Sequence, residues 1–300
     1  MPMRQALFPF SKRFGWLGTK LLQAVATLAL ATVLGATLVC LAPGSGVDER
    51  ELDPSLGAET IAALRQQRAE DRELWRFLPR YAAGVWRGDF GRSEAFQQPV
   101  SALIGERLPV TLRIAAQGLA LAWIFGLGTA MLVAVARPPG LAGAASAMSG
   151  ALLAVPTGLL AIALVVWRLP PSVGIAAGVF PKVYRFGAEL LAEQAGSMHW
   201  LGAKARGVGA LRLLSAHLLL PASRPLAALA AVSVVAALGL AVPMEALTDT
   251  PGLGQLAVRA TLARDLRLLV GLTLVVTAVA LVANLAADAM APARREEPGC

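Results

Sequence analysis

Charged, aromatic and reactive side chains are all scarce in this chain of 300 residues. Only 15% are charged and 6% aromatic, and there are two cysteines and two histidines. Cys40 sits inside an apolar run and Cys300 at the last position, so no disulfide framework is expected. His199 and His217 do not stand at a metal-ligand spacing with cysteine or carboxylates, so no metal site is expected. The sequence has no G-x-x-x-x-G-K loop followed by Ser or Thr, so any ATP must be bound by another chain. Gly252, Gly254 and Ala257 fit a loose dinucleotide pattern, but no strand is predicted before them. No serine, histidine and aspartate set suggests a hydrolase. Neither a catalytic residue nor a cofactor of this chain is expected.

What the chain has in abundance is hydrocarbon. Hydrophobic residues make up 56% of it and its mean hydropathy is +0.63, values foreign to a soluble domain of this length. Apolar runs of roughly 20 residues, enough to cross a bilayer, recur along it. In lipid only helices or closed barrels satisfy the backbone, and these runs are continuous where barrel strands would alternate. The fold class is therefore an all-α integral membrane protein. Spans are predicted at 17–42, 110–136, 145–168, 172–191, 222–246 and 266–290, six in all.

The first run is too long for a signal h-region, and Leu38-Val39-Cys40 lacks a small-residue cleavage pattern, so a retained helix is expected after a cytoplasmic tail at 1–16. Residues 43–109 carry both charge signs. Ile61, Leu64, Leu74, Phe77, Leu78, Tyr81 and Val85 recur there at near-helical spacing, which predicts an extracytoplasmic loop of short amphipathic helices. The net charge of +8 reads as lysine and arginine flanking membrane helices, since no basic segment is interleaved with aromatics as a nucleic-acid groove requires. The amino tail, Arg137, the region 182–212 and Arg294-Arg295 share one side if both termini, including the tail 291–300, are cytoplasmic. Lys182, Tyr184 and Arg185 interrupt the apolar face of the fourth span and are expected near the cytoplasmic interface. Trp16 and Trp200 read as interfacial belt residues.

Several short motifs then occur in order. Gly88-Asp89-Phe90-Gly91-Arg92-Ser93, Pro99-Val100, Ile104 and Arg107-Leu108-Pro109-Val110-Thr111-Leu112 resemble the lead into the second helix of dipeptide, oligopeptide and nickel permeases of ABC importers. Ala203-Lys204-Ala205-Arg206-Gly207, with His217 and Pro225 beyond it, is similar to that family's cytoplasmic loop. Glu245, Pro251-Gly252-Leu253-Gly254, Arg264-Asp265, Asn284-Leu285, Asp288 and Pro292 resemble its closing pattern. Two departures are visible: Met198-His199-Trp200 stands where an acidic or tyrosine-containing lead is usual, and only Arg168-Leu169-Pro170-Pro171 separates spans three and four. The resemblance implies a type I ABC importer permease of six helices in the bacterial inner membrane. It also implies a second permease subunit, two cytoplasmic ATPase subunits and an extracytoplasmic substrate-binding protein as partners.

On that resemblance the segment near 197–213 is the ATPase-coupling loop. Gly202, Ala203 and Ala205 allow close approach, Lys204 and Arg206 reach acidic groups, and Gly207 lets the backbone reverse. The alternative is an ordinary basic loop whose glycines merely turn the chain. Glu245, Asn284 and Asp288 are candidates for a gate or translocation path because ionisable and polar groups at membrane depth are functional candidates by default; solvation at the interface is the competing explanation. Gly174 and Gly178 have the spacing of a close helix contact, which chance also produces in a chain with 29 glycines. The function expected is import of a peptide-like or other small solute, with nickel and opine cargo not separable. A non-transporting paralogue with a structural or regulatory role and, behind it, a membrane-embedded enzyme are the alternatives.

Overall fold

A computed structural model describes residues 87–290 without interruption, with side chains to 286, and adds parts of 22–37 and 79–85. The amino tail, most of the loop at 43–109 including its expected helices up to Leu78, both cysteines and the tail at 291–300 lie outside the described residues. Among the described residues every named element is helical, and the one extended pairing is an isolated bridge between Arg92 and Pro99.

The apolar helix Val25–Leu34 (α1) falls within the first expected span. There follow Val100–Val135 (α2), Leu141–Ala154 (α3), Thr157–Val166 (α4), Pro171–Gly196 (α5), Met198–Ala205 (α6), Ala210–Leu247 (α7), Leu253–Leu262 (α8) and Leu266–Met290 (α9). Three helices are long and apolar enough to cross a membrane, α2, α7 and α9, and a fourth span arises if α3 and α4 count as one broken crossing. The expected single helix at 145–168 is thus corrected. The chain bends by 99° between α3 and α4 because Pro156 lacks an N–H and forces Val155 out of the helical region, to φ −78° and ψ 122°.

The chain folds as two compact units, Met1–Ile104 with Arg259–Leu281, and Gly105–Val258 with Val282–Cys300. In the first, Asp265 organises the loop before α2. Its Oδ1 accepts the Leu268 amide (3.0 Å) as an N-cap, while Oδ2 accepts the Ser93 hydroxyl and the Ala95 amide (3.1 Å). Gly271 packs so closely on Val100 and Tyr81 that a methyl there would lie 2.9 Å from Val100 Cγ1. Burial against Val270 raises the pKa of the Tyr81 phenol above its ordinary range.

In the second unit α5 is the central helix. It packs on α3, α4 and α7, and it buries Ile175, Val179, Val183 and Leu191 completely. Glycines make these contacts close. A methyl on Gly118 or Gly126 of α2 would lie 2.7 Å from Ile175 Cβ and 3.0 Å from Val183 Cβ respectively. A methyl on Gly174 or Gly178 of α5 would lie 2.5 Å from Met244 Sδ or 2.6 Å from Leu240 Cδ1 on α7, so the small-residue spacing read in the sequence is a packing seam. Large side chains such as Ile124, Phe125, Leu159, Val166 and Trp167 remain exposed, as the surface of a helix in lipid requires. Tyr184, expected near an interface, is buried: it stacks on Phe180 with centroids 5.9 Å apart and its hydroxyl donates to the Ala142 carbonyl at 3.3 Å. Lys182 is half-buried and Arg185 exposed.

Candidate functional site

Five of the six residues from Gly202 to Gly207 are exposed on one short helical segment. Helix α6 begins where Ser197, in extended conformation, ends α5 and accepts the Trp200 amide on its side chain at 3.3 Å. It ends in a glycine cap. Gly207 adopts φ +73°, its amide reaches the Lys204 carbonyl at 3.1 Å, and the Val208 amide reaches Ala203 at 3.3 Å, the paired bonds of a Schellman motif. Both ends of this eight-residue helix are therefore defined locally.

Its two faces differ in chemistry. Trp200 (4% exposed) and Ala203 (0%) face inward and join a core with Leu191, Ala195, Leu213 and Leu218. Trp200 is thus an anchor of α6 and not the belt residue expected; its ring fills the space between α5 and the start of α7. Gly202, Lys204, Ala205 and Arg206 face outward together with Met198 and Leu201. The outward side thus carries small residues, two cations and two apolar side chains.

The helix that receives α6 has an irregular start. Leu213–Leu219 is π-helical. Pro221 follows after Leu220, and a proline there cannot donate to the preceding turn, so the backbone widens ahead of it. Pro225 and Pro243 lie farther along the same helix.

Glu245 is placed at a second junction. It is completely buried near the end of α7, and its Oε2 accepts the Gly254 amide at 2.7 Å. The Thr111 hydroxyl on α2 accepts the Leu253 amide at 2.8 Å. The free amides at the start of α8 are thereby taken up by a carboxylate and a hydroxyl, where the helix dipole favours negative charge. Gly252 lies against the carboxylate so tightly that any β-carbon would overlap it, and a β-carbon on Gly254 would lie 2.5 Å from Val242 Cα. Beside this clasp the Gln255 side chain accepts from Arg107 (3.0 Å) and donates to Asp249 (2.5 Å). Glu245 Oε1 has no hydrogen-bond partner among the described residues.

The other two path candidates lie near the end of α9. Asn284 is exposed, and Asp288 is within the helix. The side chain of Asp288 lies outside the described residues. Thr111 and Arg107 stand in the sequence only as parts of a motif; their partnership with residues more than 140 positions away appears only in the fold.

Described elements that are all helical, three or four apolar segments long enough to cross a membrane, no nucleotide loop in the sequence and an exposed short helix ahead of one such segment together have the organisation of a membrane permease. Residues 126–295, more than half of the chain, match the family described as binding-protein-dependent transport system inner membrane component, and the chain belongs to that family. It is 26% identical to a Brucella ovis protein named as a candidate peptide permease, covering 90% of this chain and 94% of the relative. It is 27% and 26% identical to the glutathione transport system permease protein GsiC of Salmonella typhimurium and of Escherichia coli K12, at the same coverage. The chain is a multi-pass transmembrane permease subunit of an ABC transporter, and such subunits are not enzymes in themselves.

Proposed function

We propose that this subunit forms the path for a small peptide-like solute across the bacterial inner membrane, with its movement driven by ATP hydrolysis on separate ATPase subunits. It pairs with a second permease, receives cargo from an extracytoplasmic binding protein, and crosses the bilayer six times with both termini in the cytoplasm. No nucleotide or metal is needed by the chain itself for this role. The carrying observation is the construction of α6. It is short, capped at both ends, anchored by Trp200, and exposes small and basic residues outward.

Mechanically, a helix seated in a cleft of an ATPase moves when that cleft closes. Because Trp200 and Ala203 are packed into the same core as Leu213 and Leu218, displacement of α6 bears directly on the start of α7. Glu245 and Thr111 clasp the far end of α7 to α8 and α2, so rotation of α7 carries that junction with it. The names of the relatives, peptide permease and glutathione permease, support a peptide-like cargo.

The test is affinity purification from native membranes through a tag at the carboxyl end, followed by mass spectrometry. Co-purification of ATPase subunits and a second permease is the expected result. Reproducible recovery of this chain alone would contradict the proposal.

A further inference from the structure

The two histidines of the chain, 18 positions apart, meet in space. His217 Nδ1 and His199 Nε2 are 2.7 Å apart, and the rings lie 4.6 Å centroid to centroid with a tilt of 47°. His199 belongs to α6 and His217 to the π-helical start of α7, and His199 is exposed while His217 is half-buried. With a proton between them, the two nitrogens make one hydrogen bond. With a metal ion in its place, they make a chelate. Zinc binds imidazole nitrogen at about 2.0–2.1 Å, so a tetrahedral pair of ligands sits about 3.3 Å apart, and rotation of the exposed His199 ring supplies the small difference.

We infer that His199 and His217 form a two-imidazole clip for a transition-metal dication of the zinc, nickel and copper class, joining α6 to the start of α7. The donors select this class. Two imidazole nitrogens make no oxygen cage for calcium or magnesium, and the neighbouring Lys204, Arg206 and Arg212 supply no oxygen ligand either. Neutral imidazole is the preferred ligand of the later first-row ions. Among the described residues there is no group of three or more His, Cys, Asp or Glu side chains able to hold a metal, so the remaining positions are left to water or to an acidic side chain of a docked partner. A bound ion would couple α6 to α7 by coordination in addition to the packing of Trp200. The π-helical turn makes this possible, since it sets His217 toward α6. A pattern search along the sequence misses the pair because its ligands come from two helices.

The test is zinc titration of the purified full-length chain in detergent, followed by calorimetry. The chain carries a tag without histidine and the substitutions Cys40→Ser and Cys300→Ser, which remove competing thiols. Cobalt is used in parallel for its visible absorption. The expected result is saturable binding of a single ion per chain, weakened at least about tenfold by either His199→Gln or His217→Gln, with no further loss when both are changed. Glutamine retains a hydrogen-bonding side chain, so each variant is checked for an unchanged elution profile and melting temperature. Zinc binding undiminished in the double variant, or no saturable binding by the parent, would overturn the assignment.

Discussion

Replacing Gly118 with alanine tests the close packing of α2 against α5. The added methyl would lie 2.7 Å from Ile175 Cβ and Cγ2 and 2.9 Å from the Ser172 carbonyl oxygen, against a contact optimum of about 3.5–4.0 Å. Ile175 is 0% exposed and its Cβ is fixed to the α5 backbone, so neither neighbour can rotate away. Overpacking of this kind costs about 1–3 kcal/mol, and the upper end applies where backbone must shift. Alanine offsets about 1 kcal/mol of this through its better helix propensity. The net expectation is a loss of about 2 kcal/mol, or a fall in Tm of about 4–8 °C at the scale of a 150–250-residue domain. Gly239 of α7 supplies the control, because nothing lies within 4 Å of a methyl there. Gly239→Ala should raise Tm by about 2–4 °C through propensity alone. Intrinsic tryptophan fluorescence during heating in detergent reads both. A Gly118→Ala protein melting at or above the parent would refute the close approach of α2 and α5.

Other consequences follow from the same geometry. Thr111→Val keeps shape but leaves the buried Leu253 amide unpaired, a loss of about 1–3 kcal/mol readable in the same melting assay. Asp265→Ala removes both the cap of α9 and the tether to Ser93 and Ala95; it should cost about 1–2 kcal/mol and increase proteolytic cleavage within 88–99. Ser197→Ala should lower the helicity and stability of α6 by about 1 kcal/mol, measured by amide hydrogen exchange at Trp200. Gly207→Asp places a side chain at φ +73° beside the outward face of α6; insertion should be normal while substrate-stimulated ATPase activity of the assembled transporter falls sharply. Unchanged stimulation would argue against the coupling role.

Composition and run length were enough to read an all-helical membrane chain, because lipid leaves so few ways to satisfy a backbone. The motif around Gly207 was legible for a similar reason: the small and basic residues and the turning glycine sit within one stretch of chain. The bend at Val155 and Pro156 was written in the sequence but subordinate to the continuous hydropathy on either side, which does not register direction. Tyr184 was expected at an interface and proved buried because another helix satisfies its hydroxyl: the Ala142 carbonyl accepts it and the Ser146 hydroxyl lies within hydrogen-bond distance. Trp200 looked like a belt residue because amphipathic character reveals depth only when the neighbouring helices are known. The Glu245 clasp and the histidine pair were illegible for a different reason. Each depends on partners brought together by α7, and no local period encodes that pairing.

In the proposed function, α6 is the surface through which the permease meets its motor. A photo-crosslinking amino acid placed at Met198, 84% exposed on α6, and separately at Ile124, 66% exposed in the apolar middle of α2, would report what each surface touches in native membranes. Capture of an ATPase subunit is expected from Met198 and not from Ile124. Absence of any ATPase at Met198, with the protein inserted and abundant, would contradict it.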